Sequence, residues 1–137
     1  IAHETYDYNE ASLCCYVTIG SNRICFSGDV GLQAMDKFKK TVLSCNIFKA
    51  NHHATGYAIV PIFLNSIMPS LVVTMLGYNL AQGLGNSELQ AWCESNNVPN
   101  VVTGIVDHNL SLRVDEGGYR WNTACRRLIC ADEGISS

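Results

Sequence analysis

Charge is scarce in these 137 residues. Only 15% are Asp, Glu, Lys or Arg, and the net charge is −3. That excludes a global positive field for holding a polyanion, and basic residues gather only as Arg126-Arg127 and as Lys37, Lys39 and Lys40. No run approaches the ~20 apolar residues of a transmembrane helix, and no charged-then-apolar leader opens the chain. No C-x-x-C spacing occurs among the seven cysteines, which argues against a cysteine zinc knuckle. An odd count is awkward for a disulfide framework, and Cys14-Cys15 point to opposite faces of an expected strand; reduced, buried thiols follow, which favours the cytoplasm slightly. Internal repeats, low-complexity tracts and linkers are missing too.

What is present is the material of one globular domain, with 47% hydrophobic residues, 11 glycines and a mean hydropathy of +0.08. The first residue is Ile1, not methionine, so the chain is expected to be cut from something longer. Residues 1–10 read as a loop leading into the fold, with His3, Asp7 and Asn9 as possible site residues. Residues 12–19 and 23–27 are β-branched and aromatic runs around Gly20-Ser21-Asn22, the composition of a hairpin. Leu32, Met35, Phe38, Val42 and Leu43 recur at helical spacing. A strand over 45–50 and a helix over 59–67 follow, with Pro61 in the first turn of the helix. Residues 70–76, almost unbroken apolar, belong in the sheet interior. Ser87-Glu88-Leu89-Gln90 fits a capping box opening a helix that Asn96-Asn97 ends. Strands over 101–106 and 110–114 flank Asp107-His108-Asn109, and Asp115 to Gly118 turns the chain into Tyr119-Arg120-Trp121. The expected order is ββαβαβαβββ, a layered α/β arrangement with helices mainly on one face.

Two polar clusters, Ser27-Gly28-Asp29 and Asn51-His52-His53, each follow an apolar strand. Strand ends of an α/β sheet are where such folds keep ligands, and a carboxylate with imidazoles suits a divalent metal such as zinc. The plainer reading makes Asp29 a turn residue or the cap of the helix opening at Leu32, and the histidines surface residues. If functional, Asp29 bridges two cations, one histidine binds metal, and the other contacts substrate or protonates a leaving group, with Thr55 and Gly56 shaping the pocket.

These residues, with Asn9, Ser12, Ala54 and Thr55, form a pattern that resembles the second half of metallo-β-lactamase-fold hydrolases. The likeness is greatest to the domain of DNA-uptake competence proteins and to phosphorylcholine esterase, and it spans most of residues 9–121. The resemblance implies that the single domain 1–137 is half of an αββα sandwich. It also implies a di-zinc site in the complete domain, with Asp29 as bridging carboxylate, His53 as a zinc ligand, His52 as a catalytic group beside the substrate, and Asn9 and Thr55 near it. The reaction implied is hydrolysis of a phosphoester or similar bond by a metal-bound hydroxide.

Three departures stand out. The family's His-x-His-x-Asp-His cluster is absent from the sequence, the glycine after its double histidine is Ala54, and its His-Pro is Gly85-Asn86. Zinc binding by this piece alone is therefore expected to be weak or absent and the piece inactive. Its partner would be the missing N-terminal half, or a second copy paired through the bared sheet face. Candidate substrates are a small phosphoester or nucleic acid. The alternative is a non-catalytic dimerisation or docking module; a small nucleic-acid-binding domain ranks last.

Overall fold

The computed structural model describes residues 8–38, 40, 44–55, 59, 61–76, 87–104 and 110–122. Strands β1 (Cys15–Ile19) and β2 (Asn22–Phe26) form an antiparallel hairpin, with Val17 opposite Ile24. Helix α1 (Leu32–Phe38) leads to β3 (Ile47–Lys49), α2 (Pro61–Ile67) to β4 (Leu71–Thr74), and α3 (Ser87–Asn96) to β5 (Asn100–Val102). These strands make one sheet in the order β1-β2-β3-β4-β5, with β2 to β5 mutually parallel. A separate antiparallel ribbon pairs β6 (Ser111–Asp115) with β7 (Gly118–Asn122). The chain is thus a mixed α/β domain with a five-stranded sheet.

The period of two in the strands splits the core into two layers. Cys25, Phe48 and Val72 face the helices, meeting Met35 of α1, Phe63, Leu64 and Ile67 of α2, and Leu89, Trp92 and Cys93 of α3. Rings of Tyr16, Phe38, Phe63 and Phe48 form a continuous row, neighbouring centroids lying 5.9, 6.1 and 5.6 Å apart. The fully buried Phe48 and Phe63 each contribute roughly 1.5–3 kcal/mol by leaving water. All described helices sit on this one face. Every residue of β4 is buried, as its unbroken apolar run requires of a central parallel strand.

The opposite face is not bare. Ile24, Ile47, Leu71, Val73 and Val101 pack against Leu112, Val114, Tyr119 and Trp121, which alternate onto one side of the ribbon. Asn22 Nδ2 donates to the Asp115 carbonyl at 2.9 Å, and the hydroxyls of Ser70 and Tyr119 share a hydrogen bond. The expectation of a bared sheet face is therefore narrowed. Among the described apolar strand residues of this face, Val17 (41%) on β1 and Phe26 (40%) at the end of β2 stay exposed.

Several element boundaries shift from the sequence reading. Strand β1 begins at Cys15 rather than 12, because Ser12 and Cys14 turn their side chains to the loop after β2. Strand β3 is only three residues long. The amide of Gln90, expected to fold back in a capping box, reaches forward to Glu94 at 2.8 Å, an i,i+4 pair. Asn97 at φ 54° ends α3 in the left-handed conformation, where Asn is tolerated better than most side chains. His3, Asp7, Lys39, Val42, Leu43, Gly56, residues 77–86, Asp107-His108-Asn109 and residues 123–137 lie outside the described residues.

Candidate functional site

Strands β2 and β3 are parallel neighbours, so the turns that leave their C-terminal ends meet at one rim. After Phe26 the chain passes through buried Ser27, whose hydroxyl donates to the Lys49 carbonyl at 3.3 Å. Gly28 then takes φ +55°, and a Cβ there would stand 2.7 Å from Cβ of Ser12. Two constraints, conformational and steric, thus call for glycine. Ser12 Oγ accepts the Asp29 N–H at 3.2 Å, and the Gly28 carbonyl accepts the His52 N–H at 3.0 Å. The two turns are laced together before any side-chain chemistry is considered.

The second turn is strained. His52, His53 and Ala54 have φ of 47°, 54° and 57°, three consecutive non-glycine residues in left-handed geometry. Each such residue costs roughly 1–2 kcal/mol, so the surroundings must impose it. They do: the His52 carbonyl accepts both the N–H and the hydroxyl of Thr55, at 2.9 and 2.6 Å. Asn51 Nδ2 donates to the Val30 carbonyl at 2.6 Å, and Ala54 is fully buried.

This turn brings His53 Nδ1 to 2.8 Å from the Met75 carbonyl and Nε2 to 3.6 Å from Asp29 Oδ1. A carbonyl only accepts, so Nδ1 carries the proton and, in the neutral ring, Nε2 turns its lone pair toward the carboxylate. Two acceptors then face each other at the half-exposed rim, an arrangement that a water, a proton or a cation satisfies. A separation of 3.6 Å is beyond an ordinary hydrogen bond. It is close to the about 3.4 Å between two ligands of one tetrahedral zinc with bonds of about 2.1 Å. A backbone carbonyl fixing the far nitrogen is also the common outer support of a metal-binding histidine. The donor chemistry fits a divalent ion, though only as part of a ligand set: among the described residues no group of three or more His, Cys, Asp and Glu gathers for a metal.

Lys49 lies nearby, at the end of β3. Burial pushes its ammonium below the usual lysine value, and the Asp29 carboxylate acts in the opposite sense. Of the other sequence candidates, His52 is tied through its main chain to Gly28 and Thr55, and Thr55 closes the turn. Asn9 lies in the 3₁₀ turn Tyr8–Ala11, whose neighbours bind the Asp29 turn through Ser12 and helix α1 through Glu10. The cap reading of Asp29 meets a competitor, because the Ala34 N–H in the first turn of α1 goes to Glu10 Oε2 at 2.6 Å. Sequence reasoning missed Met75, which acts through its backbone and leaves no side-chain signal. It also missed Lys49, detectable as a lone cation two residues after Ile47 on the same strand face. A recess of about 360 Å³ lies elsewhere, on the ribbon, lined by Leu112, Arg113, Arg120 and Trp121 among others, with none of the sequence candidates in it. Comparison of the chain with protein-family models finds no match, and comparison with curated proteins finds none.

Proposed function

We propose that this chain is the C-terminal half of a metallo-β-lactamase-fold hydrolase, cleaving a phosphoester or similar bond, with Asp29 and His53 as metal ligands. The observation that supports this reading is the 3.6 Å approach of His53 Nε2 to Asp29 Oδ1, with Nδ1 held on the Met75 carbonyl. A zinc ion bound there would supply a water acidified toward neutral pH. Asp29 and His53 hold and orient it, and His52, on the same turn, stands beside the substrate with Asn9 and Thr55. Two ligands are too few for a tight site, so the remaining ligands come from an N-terminal half, and this piece alone is inactive.

The test is zinc content, measured on the parent chain containing this segment and on its Asp29→Ala, His53→Ala double variant. Wild type should retain zinc through dialysis, whereas the double variant should bind it at least about tenfold more weakly. Equal retention by the two would sink the ligand assignment. A second reading, a non-catalytic docking or homodimerisation module, draws on the exposed Val17 and Phe26. Under it the segment alone self-associates, Phe26→Asp abolishes the association, and zinc content is irrelevant.

A further inference from the structure

We propose that the recess on the β6–β7 ribbon binds a small organic oxyanion, a phosphate, phosphonate or carboxylate head on an apolar body, with Arg113 and Arg120 as its cationic clamps. The site is separate from the hydrolase reading, since neither Asp29 nor His53 lines it. In the ribbon register Arg113 stands directly opposite Arg120, and Ser111 opposite Asn122. Leu112, Val114, Tyr119 and Trp121 pack against the sheet, so alternation turns those four polar residues outward, where all are exposed. Like charges facing each other across a strand pair repel, and an anion between them reverses the sign of the interaction.

The side chains around the recess are rich in donors and poor in acceptors. Arg120 has Asp115 Oδ2 at 3.9 Å, the outer limit of an ion pair, and both groups are half-exposed. Among the described residues no carboxylate comes within ion-pair distance of Arg113. Trp121 adds an indole Nε1–H that is buried with no acceptor among the described residues. Two guanidinium forks side by side match a charge spread over the several oxygens of one head group. The chain as a whole carries −3, so the attraction for an anion is local to this spot. Leu112 and Trp121, themselves paired in register, line the same recess and supply apolar surface for the rest of the ligand. Its volume of about 360 Å³ is at the small end for a ligand site and suits a head group with one aromatic ring.

Phenylphosphonate, which joins both features and has no ester bond to cleave, is the probe. It is titrated calorimetrically into the parent chain with a chelator present, which removes any contribution from zinc. Wild type should bind one equivalent saturably, and Arg113→Gln and Arg120→Gln should each bind about tenfold or more weakly, the loss of one charge-assisted hydrogen bond. Both sites are exposed, so the variants are expected to fold, and a thermal melt verifies this. Lys37→Gln, which removes a charge from α1 on the other side of the sheet, should leave the affinity unchanged. Inorganic phosphate should bind more weakly than phenylphosphonate, and benzyl alcohol not at all. No saturable binding by wild type, or equal weakening by Lys37→Gln, overturns the site. Phosphate bound as tightly as phenylphosphonate overturns the apolar part of the ligand, and benzyl alcohol bound as tightly overturns the role of the arginines. Zinc content enters none of these outcomes, so the hydrolase reading stands or falls separately.

Discussion

Three side chains in succession held at positive φ are a costly local feature among the described residues, and they include His52 and His53. Sequence could point to Asp29 and His53, because a carboxylate and an imidazole each directly follow an apolar strand. It could not supply the backbone angles at 52–54, which depend on Gly28 and Val30 from a distant segment and on Thr55 closing the turn. Gly28 tests the lacing. Gly28→Ala forces a Cβ to within 2.7 Å of Ser12 and strains a left-handed residue, so urea unfolding should show a loss of roughly 2–4 kcal/mol. Gly117→Ala, where an added Cβ comes no closer than 3.4 Å to Asp115, is the control and should stay within about 0.5 kcal/mol of wild type. Equal effects of the two would show that the Gly28 turn is not tightly held.

Among the elements, those with strong periodicity were legible and those made by distant partners were not. Helix α1 and strand β4 follow from apolar spacing and an unbroken apolar run, and the hairpin and the other two described helices from turn composition, Pro61 and the signals at Ser87 and Asn96-Asn97. The start of α1 does not, because its Ala34 N–H is satisfied by Glu10, 24 positions earlier in the chain, which no local capping signature encodes. Glu10 also lies against Gly31, where a methyl group would collide with its carboxylate. Glu10→Ala should therefore destabilise by about 1 kcal/mol in urea unfolding, and Glu10→Gln, which keeps an acceptor, by much less. The ribbon is a similar case: its alternation was readable, but the sheet face it would cover was not. Contacts between residues far apart in the sequence, such as Asn22 to Asp115, decide that, and they leave no mark in local composition.

At the scale of the whole molecule, the helix-side layer encloses thiols that resist ionisation. Burial, with the Glu94 carboxylate adding to it, pushes Cys93 up to about 11. Cys25 is also raised, first by its hydrogen bond with Cys45 and then by burial. The unfolded Cys93 thiol ionises near 9.0, so between that value and about 11 the folded state holds more protons and stability falls as pH rises. Across that window Cys93 should account for a loss of roughly 2–3 kcal/mol, and Cys93→Ala should show a correspondingly shallower decline in alkaline denaturation. A slope unchanged by the substitution would assign the loss to other groups. The common direction of β2 to β5 has a different kind of consequence. Registers are set by interior residues such as Ile47, Phe48, Leu71 and Val72, whereas the polar groups hang on the turns beyond the strand ends. Substitutions in those turns can therefore change the chemistry of the rim while the same sheet is kept unaltered.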